Sequence, residues 1–235
     1  GDYYGLFTHL ESVDDVMIGR WFEDDSGSLF EQHDADYYTD YVQNNTYFQL
    51  EEGEDNRDAL QALADDLQGS GSAAVEAAGE HINWDNFITY WAVGAVVMNF
   101  DTYPYHSDDC HVYHDPTTDQ LYYIPHGVDE SFYYEDYYYH MEDSAGGLLA
   151  YRCREVSECR DQWAAKVYEV QALAEEIDLA GYARDVQEQI QDWAEADPNK
   201  NYTMAYVRYY QDEMIDFIEN RPNMIQSRVG SNPAE

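Results

Sequence analysis

The chain has 235 residues, enough for one domain with a sizeable core, and carries 49 acidic against 11 basic side chains for a net charge of −38. A surface of that sign repels phosphate backbones and anionic lipid, which argues against DNA, RNA or acidic membranes as partners. The content of 44% apolar and 16% aromatic residues argues against a disordered acidic tail. No run reaches the roughly 18 apolar residues of a membrane span; the best, residues 87–100, is interrupted by Thr89, Tyr90 and Asn99. Only Lys166 and Lys200 are lysines, a composition that fits a salty habitat or abundant divalent cations.

In chain order, Tyr3 to Leu10 alternates weakly and reads as a strand. Because the chain opens at Gly1 inside that pattern, it reads as a fragment or processed form of a longer protein. Ser12 with Asp15 three residues later is a capping-box-like start for a short helix bearing Val16, Met17 and Trp21. Ser28 to Gln32 fits a short strand, and the polar, Tyr-rich stretch 34–53 reads as loop. Leu60, Leu63 and Leu67 at helical spacing predict a helix over 57–68, ended by a turn at 69–72. Asn83 then caps a helix with Trp84, Phe87, Ile88, Trp91, Ala95 and Val96 on one stripe, widened by Ala92, Val93, Val97 and Met98. That breadth predicts the buried central helix of the domain.

The central helix delivers Asp101 into a loop crowded with His and Asp, after which Cys110–His114 and Leu121–Ile124 read as two strands. Pro116, Thr117, Thr118 and Asp119 are turn formers, so the pair is a hairpin. Carboxylates stand at both of its ends. His111, Tyr113 and Asp115 share one strand face, with His114 on the other. His106, His111, His114 and His126 lie close in sequence, but no helical His spacing supports zinc. The aromatic, acidic stretch 133–140 reads either as a groove lining or as half-buried loop aromatics. From Ala145 onward the pattern is all-helical: one helix after Ser157 with Trp163, Val167, Val170 and Leu173, and one capped by Asp178 with Val186, Ile190 and Trp193. A last helix over 204–227 carries Val207, Tyr210, Met214, Phe217 and Ile218, where Pro222 is expected to kink or interrupt it. Cys153 and Cys159 could close a local disulfide in an oxidising compartment.

The segments Asn99-Phe100-Asp101, Val112-Tyr113-His114-Asp115-Pro116 and Ile124-Pro125-His126-Gly127-Val128-Asp129 with Phe132 occur in the order and spacing of a known core. Together with Tyr4-Gly5-Leu6-Phe7 and Leu10-Glu11-Ser12-Val13-Asp14, they resemble the spore-coat-protein-H (CotH) kinase family, whose motifs run N-x-D, Y-x-D-P and I-P-W-D-L-D. The resemblance runs in register over most of the chain. It implies an α+β fold, the large lobe of a protein-kinase-like domain, mainly helical with a small β-hairpin and an N-terminal hinge strand, forming one domain over 1–235. It also implies transfer of the ATP γ-phosphate to a protein Ser or Thr hydroxyl with Mg²⁺ or Mn²⁺. On this reading Asp101 orients the acceptor, while Asp109 (with Asp108 as second choice) and Asp129 hold the metal. Glu11 sits at the lip of the adenine site, or else only caps its turn.

Two departures from the family stand out. Gly127 replaces the first Asp of W-D-L-D, and neither lysine stands where the family's small lobe places its nucleotide-binding lysine. They keep open a second reading, a non-catalytic surface or binding domain that retains the scaffold. A Ca²⁺-dependent adhesive domain is a third, suggested by charge alone; no EF-hand loop is present. An extracellular or cell-surface location accords with the acidity and the cysteine pair.

Overall fold

A computed structural model describes residues 2–107, 110–132 and 145–234. The architecture is α+β: a four-stranded antiparallel sheet and, among the described residues, ten α-helices. In chain order the elements are α1 (Asp15–Trp21), β1 (Ser28–Gln32), α2 (Thr39–Val42), β2 (Phe48–Glu52), α3 (Asp58–Leu67), α4 (Gly71–Ala78), α5 (Trp84–Val97) and α6 (Tyr103–His106). After them come β3 (Cys110–Asp115), β4 (Gln120–Pro125), a 3₁₀ turn (Val128–Glu130), α7 (Leu148–Glu155), α8 (Ser157–Glu176), α9 (Leu179–Ala196) and α10 (Met204–Arg228).

The sheet order is β2-β1-β3-β4, so the expected hairpin is its β3–β4 half and β1–β2 extends it. The period-two alternation divides its side chains between two cores. Phe30, Val112, Leu121 and Tyr123 join the main core with α3, α5 and α8, while Leu29, Tyr113 and Ile124 meet Ile18 of α1 in a smaller cluster. β4 is an edge strand, and its free backbone groups are covered. Leu121 N donates to His81 O and accepts Asn83 N at its own carbonyl, and the Asn86 side chain bonds both N and O of Tyr123. Those bonds fix the start of α5 against the sheet.

α5 is the buried central helix. Asn83 caps it, its side chain accepting from Asn86 N, and Trp91 stacks on Trp163 of α8 at 4.8 Å between ring centroids. α7 and α8 are joined by the Cys153–Cys159 disulfide, which spans six residues and lies buried. Closing so short a loop is worth about 2 kcal/mol in the chain-entropy account. We expect the Cys153→Ala/Cys159→Ala double variant to lose about 5–8 °C of thermal midpoint. An unchanged midpoint under non-reducing conditions would show that the bond does not form.

Four expectations need correction. Tyr3 to Leu10 is not a strand, because among the described residues no strand pairs with it. Its backbone is instead taken up by the end of α9, with Leu6 N donating to Asp197 and Asn199 donating to Tyr4 O. The cap of α1 is Asp14, which accepts from Val16 N and Met17 N; Ser12 lies outside the helix. Within 34–53 the polar pattern hid α2 and β2, which Arg57 ties down by donating to Val42 O and to Asn45. Residues 69–72 are not all turn, since α4 begins at Gly71.

In the helical half, no residue of α9 is fully buried, and Trp193 is 57% exposed. Its stripe meets α10 and the ring of Tyr3, not the core. α10 runs through Pro222 without ending. Burial of Ile215, Phe217, Arg221 and Ile225 on both sides of the proline offsets a cost of about 3 kcal/mol. Among the described residues no helix is long and apolar enough to cross a membrane.

Candidate functional site

The candidate site lies where α5 ends and where β4 runs into the 3₁₀ turn. α5 stops because Met98 adopts a left-handed conformation (φ 52°). Its last carbonyls are then claimed by three different parts of the chain. Gly94 O accepts from Met98 N and Asn99 N. The carbonyls of Ala95 and Val96 accept from the guanidinium of Arg221 on α10. Val97 O accepts from Phe132 N at 2.6 Å. A helix C-terminus carries partial negative charge, so a cation there is favourable. Arg221 is 2% exposed and also lies 4.8 Å over the Phe217 ring.

Asn99, 3% exposed, is the junction. Its Oδ1 accepts from Asp101 N at 3.2 Å and its Nδ2 donates to Gly127 O at 3.3 Å. One amide thereby joins the segment bearing Asp101 to the segment bearing Asp129. Downstream of Asp101, Tyr103 N donates to the Tyr90 hydroxyl. The Tyr103 hydroxyl donates to Asp36 and accepts from Leu149 N. Asp36 also accepts from Tyr37 N and Leu148 N, and burial holds its carboxyl above the usual range. The backbone on both sides of Asp101 is thus fixed by buried partners, while its carboxylate is only half-buried.

The other expected residues are placed as follows. Asp129 is exposed in the 3₁₀ turn. Gly127 precedes that turn at φ 62°, in the left-handed region that glycine enters without strain. Glu11 is exposed and ion-paired with Arg20 of α1. Asp108, Asp109 and the aromatic stretch 133–140 lie outside the described residues.

Of the four histidines close in sequence, only His111 and His126 come together. His106 ends α6 beside Phe100, and His114 bonds Asp119 at 3.0 Å. His111 lies on the sheet face of Tyr113, opposite Glu31, with the His126 ring 5.1 Å away. Glu31 also meets His33 at 3.2 Å. Among the described residues no three His, Cys, Asp or Glu side chains converge to hold a metal ion.

His111 is 5% exposed and its Nδ1 has no hydrogen-bond partner. Burial, with His126 and His33 nearby, lowers its pKa to about 4. The unfolded chain therefore takes up this proton first, so the His111 contribution is whole above pH 6.5 and is lost as pH falls toward 4. Between pH 7 and pH 5 we expect this one group to cost about 2 kcal/mol. Urea midpoints of the parent and His111→Leu at both pH values check it: the variant should lose less stability on acidification. Parallel losses would sink the assignment.

Sequence reading gave no role to Asn99 beyond its motif and overlooked Arg221. A signal for the second existed. Phe217, Arg221 and Ile225 follow at i, i+4 and i+8 on the buried face of α10, so an arginine interrupts an apolar stripe.

A family model described as CotH kinase protein matches residues 1–225 of the 235-residue chain. No curated protein matches it.

Proposed function

Since the chain belongs to the CotH kinase family, we propose that it is a metal-dependent, atypical protein kinase that moves the ATP γ-phosphate to a protein Ser or Thr hydroxyl. What carries the reading is the Asn99 junction, which couples the Asp101 segment to the Gly127–Asp129 segment at one end of the central helix. The helices and sheet would then be the large lobe of a kinase-like domain. An extracellular or cell-surface location accords with the buried disulfide.

Phosphoryl transfer asks the protein for positioning and electrostatics. Asp101 would orient the acceptor hydroxyl and take its proton as that oxygen attacks the γ-phosphorus, while the bridging oxygen leaves with ADP. The fixed backbone around Asp101 suits that task, because misplacement of a catalytic group is costly. The donors on offer are hard carboxylate oxygens, which fit Mg²⁺ or Mn²⁺; Asp129 and Asp109 would hold the ion. When bound, the ion would neutralise charge on the phosphates. Glu11 would lie at the edge of the nucleotide.

Gly127 favours a second reading, a family member that kept the scaffold and lost the chemistry. An Asp at a left-handed φ costs roughly 1 kcal/mol, and Gly127 pays nothing there but brings no carboxylate. The deciding experiment is a thermal titration with ATP and Mn²⁺ of the parent, Asp129→Ala and Gly127→Asp. The kinase reading expects a metal-dependent rise in midpoint with ATP, abolished in Asp129→Ala and enlarged in Gly127→Asp. No rise in the parent, with a rise appearing in Gly127→Asp, would establish the scaffold reading. A rise with metal alone would make cation binding the activity.

A further inference from the structure

α6 is a single helical turn, and Asp101 stands two residues before it. In front, the Asn99 side chain holds Asp101 N. Behind, one carboxylate holds both ends of the turn. The Tyr103 hydroxyl donates to Asp36 Oδ1 at 2.9 Å, and the Ser107 side chain also hydrogen-bonds Asp36. Next to it, Ala35 N donates to Ser107 O at 3.0 Å. Asp101 and Thr102 thus span two fixed points.

Asp36 also reaches the start of α7, where Leu148 N donates to its Oδ2 at 2.7 Å. The chain just before packs backbone to backbone on α6. Gly146 N donates to Pro104 O at 2.8 Å, and a Cβ on Gly146 would fall 2.0 Å from Tyr105 O. With Tyr37 N, four neutral donors from three parts of the chain meet on the Asp36 carboxylate. Withdrawing a carboxylate from water is costly, and an apolar residue in such a place is often at least as stable. What the carboxylate adds is geometry, an acceptor that gathers four donors at one point.

We propose that Asp36 is a positioning residue for phosphoryl transfer, fixing the direction of the Asp101 carboxylate by clamping α6 at both ends and docking it on the start of α7. The proposal rests on the kinase reading, in which Asp101 faces the acceptor hydroxyl. Asp36 acts through Asp101 and not on the reacting atoms. A shift of about 1 Å in a catalytic group can cost roughly 10²-fold in rate.

The test measures transfer from labelled ATP with Mn²⁺ to the chain's own hydroxyls and to dephosphorylated casein. It compares the full chain and Asp36→Asn, each alone and combined with Asp101→Asn. The rate should fall about 30–100-fold in Asp36→Asn, with ATP affinity within about twofold of the parent. In the Asp101→Asn background the same substitution should add less than about threefold, since a residue acting through Asp101 then has nothing to act through. Amide exchange over residues 101–107 should quicken in Asp36→Asn while α5 keeps its protection. Ser107→Ala, a milder change that leaves the core intact, should follow the same pattern with a loss of about three- to tenfold, as one hydrogen bond allows. An equal loss from Asp36→Asn in both backgrounds, or ATP affinity falling in step with the rate, would make Asp36 a residue of the fold alone and overturn the proposal. Unchanged exchange over 101–107 would do the same. No transfer by the parent would end the kinase reading and the proposal with it, whereas transfer untouched by Asp36→Asn would end the proposal alone.

Discussion

Replacing Arg221 by alanine should destabilise the fold by about 3–5 kcal/mol, visible as a large fall in urea midpoint. The guanidinium satisfies the carbonyls of Ala95 and Val96 at the end of α5, in a site that is 2% exposed. Each hydrogen bond from a charged donor is worth roughly 1.5–3 kcal/mol, and truncation leaves two buried acceptors beside a cavity. Arg221→Lys should recover part of the loss, because an ammonium can reach one carbonyl but lacks the planar fork. Arg184 makes an instructive control. It is half-exposed and paired with Glu219, and its alanine variant should change stability by less than about 1 kcal/mol. If Arg221→Ala also costs under 1 kcal/mol, water has replaced the guanidinium and the helix end is not held as described.

Asp101→Asn should lower phosphoryl transfer by about 10²–10⁴-fold, the usual reach of a positioned general base, while ATP binding with Mn²⁺ stays near parental. The asparagine keeps the backbone donor to Asn99 and the shape of the side chain, so the fold should be undisturbed. Asp129→Ala should behave in the opposite sense and weaken nucleotide and metal binding. The two variants therefore separate orientation of the acceptor from retention of the ion. Equal loss of binding in both would mean that Asp101 is a ligand for the ion, not the group that faces the hydroxyl.

Much of this could be read from the residues, and the parts that could not share a cause. α5 and the β3–β4 hairpin were legible because apolar period and turn chemistry agree there, and the caps Asn83 and Asp178 follow from local hydrogen bonding. β2 was not, since Phe48-Gln49-Leu50-Glu51-Glu52 is largely solvent-facing and depends on β1 for its bonds. Tyr3 to Leu10 failed the other way: its alternation is real, but a strand needs a partner. The stripe of α9 misled similarly, because periodicity reports an amphipathic face and not what covers it. In the site, Asp101 and Asp129 stood out only through their motif, against a background of 49 acidic residues. The Asn99 bridge and Arg221 are long-range contacts, which no local pattern encodes.

The separation between Arg221 and the carbonyl of Val96 is 125 residues. A ribosome adding about 5–20 residues per second therefore releases the central helix roughly 6–25 seconds before the arginine that holds its end. Until α10 emerges, the carbonyls of Ala95 and Val96 lack the guanidinium that holds them in the finished fold.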